Sequence, residues 1–255
     1  MSTDFPTASV AHPAELEAAD QPYFAPWGRP QILLTLVLGF PALVVTAALA
    51  VRHSPWWWGG TLVAALLAGF FVLFFRNPRR TVPVGSGLLV SPADGTIWDV
   101  EEVDEPDFIG ERCLRIGIFL SIFNVHVNRT PASGRVAYVQ YREGAFHDAR
   151  STQAGDVNES NAIGLVRLEG SGPEEVKLLV KQISGAIARR IICPLTVGQG
   201  VTRGGLIGMI KYGSRTELYV PLSSGGQARV KVGDKVQGGV SILAHWVDTG
   251  ARRGD

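Results

Sequence analysis

A glycine–serine pair towards the carboxyl end of the chain, Gly213-Ser214, has the residue types needed to break its own peptide bond. The pair ends a glycine-rich apolar segment, GQGVTRGGLIGMIKYG, and an apolar strand pattern follows it. Glycine leaves its carbonyl unhindered and tolerates strained backbone conformations, so the Ser214 hydroxyl can attack this carbonyl and convert the amide to an ester. Elimination across Ser214 then releases the upstream chain and leaves dehydroalanine, which hydrolyses to a pyruvoyl group.

Such an attack needs a base and a group that orients the base, and two other segments supply candidates. His126 stands between two valines in FLSIFNVHVNRTPASG, and Asp94 belongs to the turn sequence SPADG. A histidine can take the Ser214 proton and return it to the leaving nitrogen, while a carboxylate fixes the histidine tautomer. We therefore predict Ser214, His126 and Asp94 as catalytic residues and the Gly213–Ser214 bond as the cleavage site.

Each of these residues also has a structural interpretation. Gly-Ser pairs are common in turns, Asp94 is a typical turn residue, and a histidine between valines is typical of a half-buried strand. The same three residues are also compatible with a membrane-tethered serine peptidase that acts on other proteins and stays whole. A third alternative is a non-catalytic anchored module.

The elements that must position these residues are mainly β strands. After Pro83 short stretches rich in Val, Ile and Leu alternate with Gly, Pro, Asn and Asp, which predicts a compact barrel or sandwich-like domain over residues 77–255. A Gly-Asp turn within Val230–Leu243 predicts a terminal hairpin. The other predicted strands are Gly87–Val90, Cys113–Leu120, Arg135–Tyr141, Gly164–Leu168, Val176–Ile183 and Leu218–Val220.

Two long apolar runs precede this domain. Gln31–Val51 and Ser54–Phe75 carry no acidic or basic residue and are each long enough to cross a membrane as a helix, so residues 29–76 are predicted to form a transmembrane hairpin. A secretory signal would have a shorter apolar region and a cleavage site. The remaining alternative is a buried helical hairpin of a soluble protein.

The charges that flank the runs predict the orientation. Arg29, Arg76, Arg79 and Arg80 flank the outer ends of the two apolar runs, whereas the connecting turn carries only Arg52 and a histidine. The excess of arginine places both ends, and hence the catalytic domain, on the cytoplasmic side of the cell membrane. Residues 1–28 lack an apolar period and are predicted to be a mobile cytoplasmic tail.

The overall composition narrows the function classes. The chain has 24 Lys and Arg against 23 Asp and Glu, so its charge offers no reason to expect a nucleic-acid partner. Cys113 and Cys193 have neither the spacing of a zinc site nor that of a disulfide framework, and we expect free thiols and no bound metal.

Several motifs in a fixed order resemble one enzyme family. FFRNPRR, SPADG, FNVHVNR with TPASG, NESN and CPLTVGQGVTRGGLIGMIKYGSRTEL together resemble the phosphatidylserine decarboxylase proenzyme in its short bacterial and archaeal form. The resemblance implies cleavage into a β chain, Met1–Gly213, and an α chain, Ser214–Asp255, which remain together as a heterodimer and associate beyond one protomer. It also implies that Asp94 and His126 activate Ser214 for this cleavage.

The same resemblance implies the reaction. A covalent pyruvoyl group made from Ser214 forms a Schiff base with the amine of phosphatidylserine and acts as the electron sink while carbon dioxide leaves. The product is phosphatidylethanolamine, a membrane phospholipid. A related serine-headgroup lipid such as archaetidylserine is the alternative substrate.

Other polar residues remain without an assigned role. Longer family members have a second histidine where this chain has Arg129, which leaves the proton donor after decarboxylation open. Arg129 is either a contact for the lipid phosphate or serine carboxylate, or a solvated loop arginine, and Arg189 with Arg190 is either a phosphate contact or a surface pair. We assign no role to a further set of polar residues, which are His147, Asp148, Asn158, Glu159 and Asn161.

Overall fold

A helical hairpin precedes a mainly β domain, which confirms the predicted fold class. The structure is a computed structural model, and it describes residues 21–151, 153–167, 176–186, 190–211 and 213–245. Of the predicted tail, residues 1–20 lie outside the described residues, whereas residues 21–28 pack against the end of the hairpin. There the Ala25 amide donates to the Phe75 carbonyl at 2.8 Å, and a short 3₁₀ turn, Pro26–Gly28, leads into the first helix.

The hairpin consists of α1, Arg29–Arg52, and α2, Trp57–Phe74. Both helices are long and apolar enough to cross a membrane, judged by length and composition. Apolar side chains are exposed along both, with Leu38 at 63% and Leu66 at 64% exposure. A helix that is apolar on all sides is stable in an apolar surrounding, and the described part of the chain does not fold over the hairpin to supply one.

The β domain contains fourteen strands among the described residues and one helical turn, α3, Ala154–Val157. A 3₁₀ turn, Leu222–Ser224, follows the eleventh strand. The strands are, in chain order, Leu88–Val90 (β1), Gly95–Glu105 (β2), Glu111–Leu120 (β3), Val127–Arg129 (β4), Gly134–Arg142 (β5), Ser160–Arg167 (β6), Lys177–Ile183 (β7), Ile191–Ile192 (β8), Gly200–Val201 (β9), Leu206–Ile210 (β10), Ser214–Pro221 (β11), Gln227–Ala228 (β12), Lys235–Val236 (β13) and Ile242–His245 (β14).

These strands form one large sheet and two small ones. The large sheet has the order β13-β2-β3-β11-β7-β6-β5-β9, and the small sheets have the orders β1-β14-β12 and β4-β10-β8. Neighbouring strands are antiparallel throughout these described pairs. Aliphatic side chains from all three sheets meet in one core, among them Leu89, Ile118, Ile207, Leu218 and Leu243. The burial of this shared core holds the three sheets together as one domain.

Strand β11 lies inside the large sheet, between β3 and β7, and all eight of its residues are buried. The apolar pattern predicted only Leu218–Val220 as strand, because the four preceding residues are polar or charged. Ion pairs make their burial tolerable, since Arg215 lies 2.7 Å from a carboxylate oxygen of Asp99 and 2.7 Å from one of Glu217. The strand therefore begins at Ser214 itself.

The terminal hairpin prediction is wrong in its pairing. The turn before Asp234 is present, with the Lys231 amide donating to the Asp234 carboxylate at 2.9 Å. The strands after it belong to different sheets, because β13 pairs with β2 while β14 pairs with β1 and β12. A local turn signal specifies the bend and leaves the pairing partner to tertiary packing.

Both cysteines are free, as predicted. Cys113 is buried and Cys193 is half-buried. Burial raises the pKa of the Cys113 thiol to about 12, and the nearby Glu105, Glu111 and Asp104 act in the same direction. This thiol is consequently protonated and unreactive at neutral pH.

Candidate active site

Two chain connections run side by side at the seam between the large sheet and a small one. Strand β3 pairs with β11 in the large sheet, where Ser214 lies opposite Leu120, and β4 pairs with β10 in a small sheet. The link from β3 to β4 and the link from β10 to β11 must therefore cross the same gap. The Ile210 amide donates to the His126 carbonyl at 3.4 Å at the point where both links begin or end. This topology brings the predicted base to the predicted cleavage bond.

His126 is fully buried and points one ring nitrogen at the cleavage segment. Its Nε2 lies 3.3 Å from the Gly213 amide nitrogen and accepts that N–H. Its Nδ1 lies 3.0 Å from the Asn124 carbonyl, to which the Nδ1–H donates. Because an amide N–H can only donate, Nε2 carries the lone pair in this arrangement. The imidazole is therefore held in the tautomer that a general base requires.

The surroundings of His126 also keep it neutral. Burial lowers its pKa to about 4; the hydrogen bond with Asn124 opposes this shift and the positive charge of Arg76 adds to it. The ring of Phe74, the last residue of α2, lies against the imidazole with centroids 4.3 Å apart. At neutral pH the imidazole is thus free to accept a proton.

Ser214 presents a buried hydroxyl to this site. The residue has no exposed surface, and Oγ has no hydrogen-bond partner among the residues that the structure describes. An unpartnered buried hydroxyl costs about 1–3 kcal/mol, which is a common feature of groups kept for chemistry. The predicted hydrogen bond between Ser214 and His126 is not formed in this part of the chain, since Nε2 binds the amide one residue earlier.

The backbone at Gly213 is specialised. Its φ of +71° favours glycine. The neighbouring chain approaches so closely that a Cβ added to Gly185 would lie 2.4 Å from the Gly213 carbonyl oxygen. Asn158 holds this neighbouring chain in place, because its Nδ2 donates to the carbonyls of His147 and Ser184, each at 2.9 Å. The Gly213 carbonyl oxygen is therefore in close contact with the chain at Gly185.

Asp94 occupies a different place from the one that a Ser-His-Asp arrangement requires. Its carboxylate accepts from Arg80 at 2.7 Å and from the Gly238 amide at 2.7 Å. Burial raises the pKa of Asp94, while Arg80 and the Gly238 hydrogen bond oppose the shift. No hydrogen bond joins Asp94 to His126 in the described part of the chain, and the Asn124 carbonyl performs the orienting role predicted for the carboxylate.

Arg129 is not a solvated loop residue, whereas its contact with a lipid headgroup stays a prediction. It is buried, with 2% exposure, and its guanidinium donates to Gln21 at 2.7 Å, Gly204 at 2.9 Å, Asn77 at 2.5 Å and Pro78 at 3.2 Å. All four partners accept, so Arg129 ties the segments on both sides of the hairpin to the β domain. Sequence reasoning missed this because only the fold brings these acceptors together.

The other predicted arginines contribute less to the site. Arg190 is exposed, and its carbonyl accepts from the Lys211 amide at 3.2 Å. Arg189 lies outside the described residues. The phosphate contact predicted for this pair stays a prediction.

A chain of buried amides and a hydroxyl lines the seam next to Ser214 and was also missed. Asn161 donates to Gln182 at 3.0 Å, Gln182 to Asn128 at 2.9 Å, and Asn128 to Thr216 at 3.0 Å. All four are buried. The signal available in the sequence was their residue type. Burying polar side chains inside otherwise apolar strands costs free energy unless the side chains form hydrogen bonds with one another.

The segment that follows α2 contacts the link before His126 and the turn that carries Asp94. Arg76 donates to the Phe123 carbonyl at 2.6 Å, in the link that carries His126. Arg80 binds Asp94, as described above. The FFRNPRR motif is therefore a structural clamp between the hairpin and the site.

Comparison with known proteins agrees with this site. The family model for phosphatidylserine decarboxylase matches residues 67–244, a range that contains each of these residues from Phe74 to Gly238. A phosphatidylserine decarboxylase proenzyme of Carboxydothermus hydrogenoformans is 45% identical over 174 residues, which cover 68% of this chain and 78% of the relative. The proenzyme of that name from Chlorobium luteolum is 38% identical over 221 residues, covering 87% of this chain and 99% of the relative. The chain belongs to the phosphatidylserine decarboxylase family of carboxy-lyases.

Proposed function

We propose that this chain cleaves itself between Gly213 and Ser214 and then decarboxylates phosphatidylserine to phosphatidylethanolamine and carbon dioxide at a membrane. The observation that carries the proposal is the approach of His126 Nε2 to the Gly213 amide, beside a buried Ser214 hydroxyl that has no partner among the described residues. A neutral base, a free hydroxyl and an unhindered carbonyl are the groups that serinolysis needs.

In the first step the Ser214 oxygen attacks the Gly213 carbonyl carbon. His126 Nε2 takes the hydroxyl proton and delivers it to the Ser214 nitrogen, so that the amide C–N bond breaks and an ester C–O bond forms. Loss of the Ser214 α proton then breaks the bond between Cβ and the ester oxygen, and the upstream chain leaves as a carboxylate. Water finally replaces the nitrogen, and ammonia departs.

Gly213 and Ser214 fit the formation of a pyruvoyl group in this way. Gly213 has no side chain to obstruct the attack, and Ser214 is the first residue of a buried strand, which keeps the new chain end within the site. The group supplies a carbonyl that binds the substrate amine and draws electrons away as carbon dioxide leaves. The task of the protein is to hold the lipid headgroup at this point and exclude water.

The pairing of β11 supports a stable heterodimer after cleavage. This strand would be the first element of the α chain, and it lies between β3 and β7 of the β chain. Eight residues of β11 are in register with β3 and five with β7. Breaking one peptide bond at the edge of this arrangement leaves its hydrogen bonds and its core in place.

We assign Asp94 a positioning role. It joins the turn after β1 to Arg80, which precedes the turn in the chain, and to Gly238, which follows much later. Through Arg80 it fixes the segment that also carries Arg76, the partner of the link before His126. Its effect on cleavage is then indirect.

The exposed apolar hairpin and the substrate class support a membrane location. The exposed side chains of α1 and α2 fit a hydrocarbon surrounding, and the arginines at the outer ends favour a cytoplasmic position for the domain. The ring of Phe123, 72% exposed, lies 6.4 Å from that of Phe70 on α2, so the link before His126 is close to the hairpin. A site held near the headgroups has a short path to a lipid that is scarcely soluble in water.

The test is intact mass spectrometry of the purified full-length chain. We expect two chains, with the shorter one beginning in a pyruvoyl group, and a single uncleaved, inactive chain for Ser214→Ala. Ser223→Ala, which removes an exposed hydroxyl from the same region, should be processed normally. Cleavage of the Ser214→Ala chain, or one unmodified wild-type chain of 27.4 kDa, would overturn the proposal in favour of a peptidase or a binding module.

A further inference from the structure

Three polar side chains stand in one row across the large sheet at the end where cleavage is proposed. The last paired residues are Arg215 with Ile183 and Ile183 with Ser160. One position further along the same registers, Ser214 stands opposite Ser184, and Ser184 stands opposite Glu159. Residues directly opposite each other project to the same face of an antiparallel sheet.

The chains stay adjacent beyond the last formal pair. The Ser184 amide donates to the Glu159 carbonyl at 2.9 Å. On the other side, the close approach of Gly185 to the Gly213 carbonyl continues the pairing of β7 with β11. The side chains of Ser214, Ser184 and Glu159 therefore form a continuous row inside the seam.

Every member of this row has a buried polar atom without a partner among the described residues. These atoms are Ser214 Oγ, Ser184 Oγ and Glu159 Oε2. Ser184 is fully buried and Glu159 is 6% exposed. The other carboxylate oxygen of Glu159 accepts from the Tyr141 hydroxyl at 2.9 Å, which fixes the orientation of the carboxylate.

The next row on the same face provides an internal comparison. Two residues further along each strand stand Thr216, Gln182 and Asn161, and these side chains are bonded to one another or to Asn128. The fold thus satisfies the polar row that is remote from the cleavage bond. Of these two rows, the one that contains Ser214 is the one whose acceptor and hydroxyls have no partner among the described residues.

The polar atoms without partners in this row define the chemistry of a ligand that could bind there. A carboxylate oxygen accepts hydrogen bonds and repels anions, and a serine hydroxyl can either donate or accept. A primary ammonium group offers three donors and a positive charge, and is the natural counterpart. Neighbouring strands lie roughly 5 Å apart, and Ser184 stands between Glu159 and Ser214, so an amine placed over Ser184 is about one strand spacing from Glu159 and from position 214.

We propose that Glu159 and Ser184 form the subsite that binds the primary amino group of the substrate headgroup and directs it at position 214. This inference rests on the proposed function, because an amine needs this position only if Ser214 becomes a carbonyl. The Glu159 carboxylate holds the cation and takes one of its protons, so that the neutral nitrogen can attack the carbonyl carbon. This proton and a second one from the nitrogen then pass to the carbonyl oxygen, which leaves as water. The Ser184 hydroxyl lies between the carboxylate and the reacting atom.

The test uses the full-length chain in lipid nanodiscs that contain phosphatidylserine, with sodium cyanoborohydride added to fix bound amine to the α chain. The readouts are the fraction of cleaved chain, the rate of mass gain on the α chain and the thermal unfolding midpoint. We expect Glu159→Gln to be cleaved like the wild type and to trap amine at least tenfold more slowly. Ser184→Ala should trap amine several-fold more slowly.

The unfolding midpoint separates binding from architecture. Glu159→Gln removes a buried charge whose Oε2 has no donor among the described residues, so its midpoint should stay unchanged or rise, whereas loss of a structural carboxylate would lower it. Glu143→Gln, which removes an exposed carboxylate close to Tyr141, is the matched control and should trap amine at the wild-type rate.

Wild-type trapping rates in both Glu159→Gln and Ser184→Ala would overturn the subsite. Should Glu159→Gln fail to be cleaved, Ser184→Ala decides alone, and a normal trapping rate in that variant rejects the inference. Failure of the proposed function looks different, because the wild type itself would then be uncleaved and would gain no mass.

Discussion

The imidazole of His126 lies against the phenyl ring of Phe74, with the ring centroids 4.3 Å apart and the planes inclined by 34°. Phe74 is the last residue of α2, and both residues are buried. The apolar hairpin therefore reaches the proposed catalytic base directly. Its end supplies the dry surface that keeps this base uncharged.

Replacing Phe74 by Ala should change the pH profile of self-cleavage. Water admitted beside His126 would let its pKa return from about 4 towards the usual 6.5. The neutral imidazole is the active form, so cleavage would fall as the pH drops through this higher pKa, to about a tenth at pH 5.5. The wild type should keep its rate down to about pH 5 by the same relation. The measurement is the time course of chain cleavage in nanodiscs between pH 5 and pH 8.

Phe71→Ala is the control, because Phe71 lies on the same helix and is 36% exposed. Its profile should match the wild type. Phe74→Leu keeps apolar volume and should give an intermediate shift. Uniform slowing of Phe74→Ala at every pH would show that the ring is needed only for folding.

Asp94→Asn should weaken the fold without altering the pH profile of cleavage. The amide can still accept from Gly238, but it removes the charge opposite Arg80, so we expect a loss of about 1–2 kcal/mol in the free energy of unfolding. Cleavage should be slower but show the same pH dependence, because Asp94 makes no hydrogen bond to His126 among the described contacts. Denaturation of the cleavage-arrested Ser214→Ala chain gives the first quantity.

Asp148→Asn removes a carboxylate from an exposed pair with Arg150 and should leave stability and cleavage unchanged. A displaced pH profile in Asp94→Asn would restore Asp94 as a direct partner of the base.

Gly185→Ala should block cleavage by moving the scissile carbonyl. The added methyl group would stand 2.4 Å from the Gly213 carbonyl oxygen and 3.2 Å from Ala149 Cβ. Relief of this overlap requires a backbone shift that costs about 1–3 kcal/mol. We expect at least a tenfold slower cleavage by intact mass. Gly200→Ala, where an added Cβ meets no atom within 4 Å, is the matched control; equal half-times for the two variants would contradict the role of this close approach.

Arg129→Ala should destabilise the junction between hairpin and domain. It leaves the carbonyls of Gly204 and Pro78 and the side chain of Asn77 without their donor, at a cost of about 3 kcal/mol. Chemical unfolding of the cleavage-arrested chain in detergent measures this loss. The exposed Arg135 provides the control substitution to Ala, with little effect expected. If both variants unfold alike, Arg129 does not hold the junction.

Periodicity and residue type in the sequence determined much of the secondary structure and the candidate residues of this protein. Apolar runs revealed both helices, and alternating apolar residues revealed β3, β5, β6 and β7 within a few positions. The order of the motifs identified the family and, with it, Ser214 and His126 as candidate catalytic residues. These features are local in the chain, so local patterns are sufficient to find them.

Tertiary structure decided which of these residues meet. Pairing of β3 with β11 and of β4 with β10 joins segments far apart in sequence and brings His126 to Gly213. Other contacts between distant segments place Asp94 against Arg80 and bury Arg129 among four acceptors, and the pairing of β6 with β7 aligns Glu159 with Ser184. Strand pairing depends on contacts between distant segments, and a polar residue is tolerated in a buried strand only where another segment supplies its partner. Neither condition can be read from one stretch of sequence.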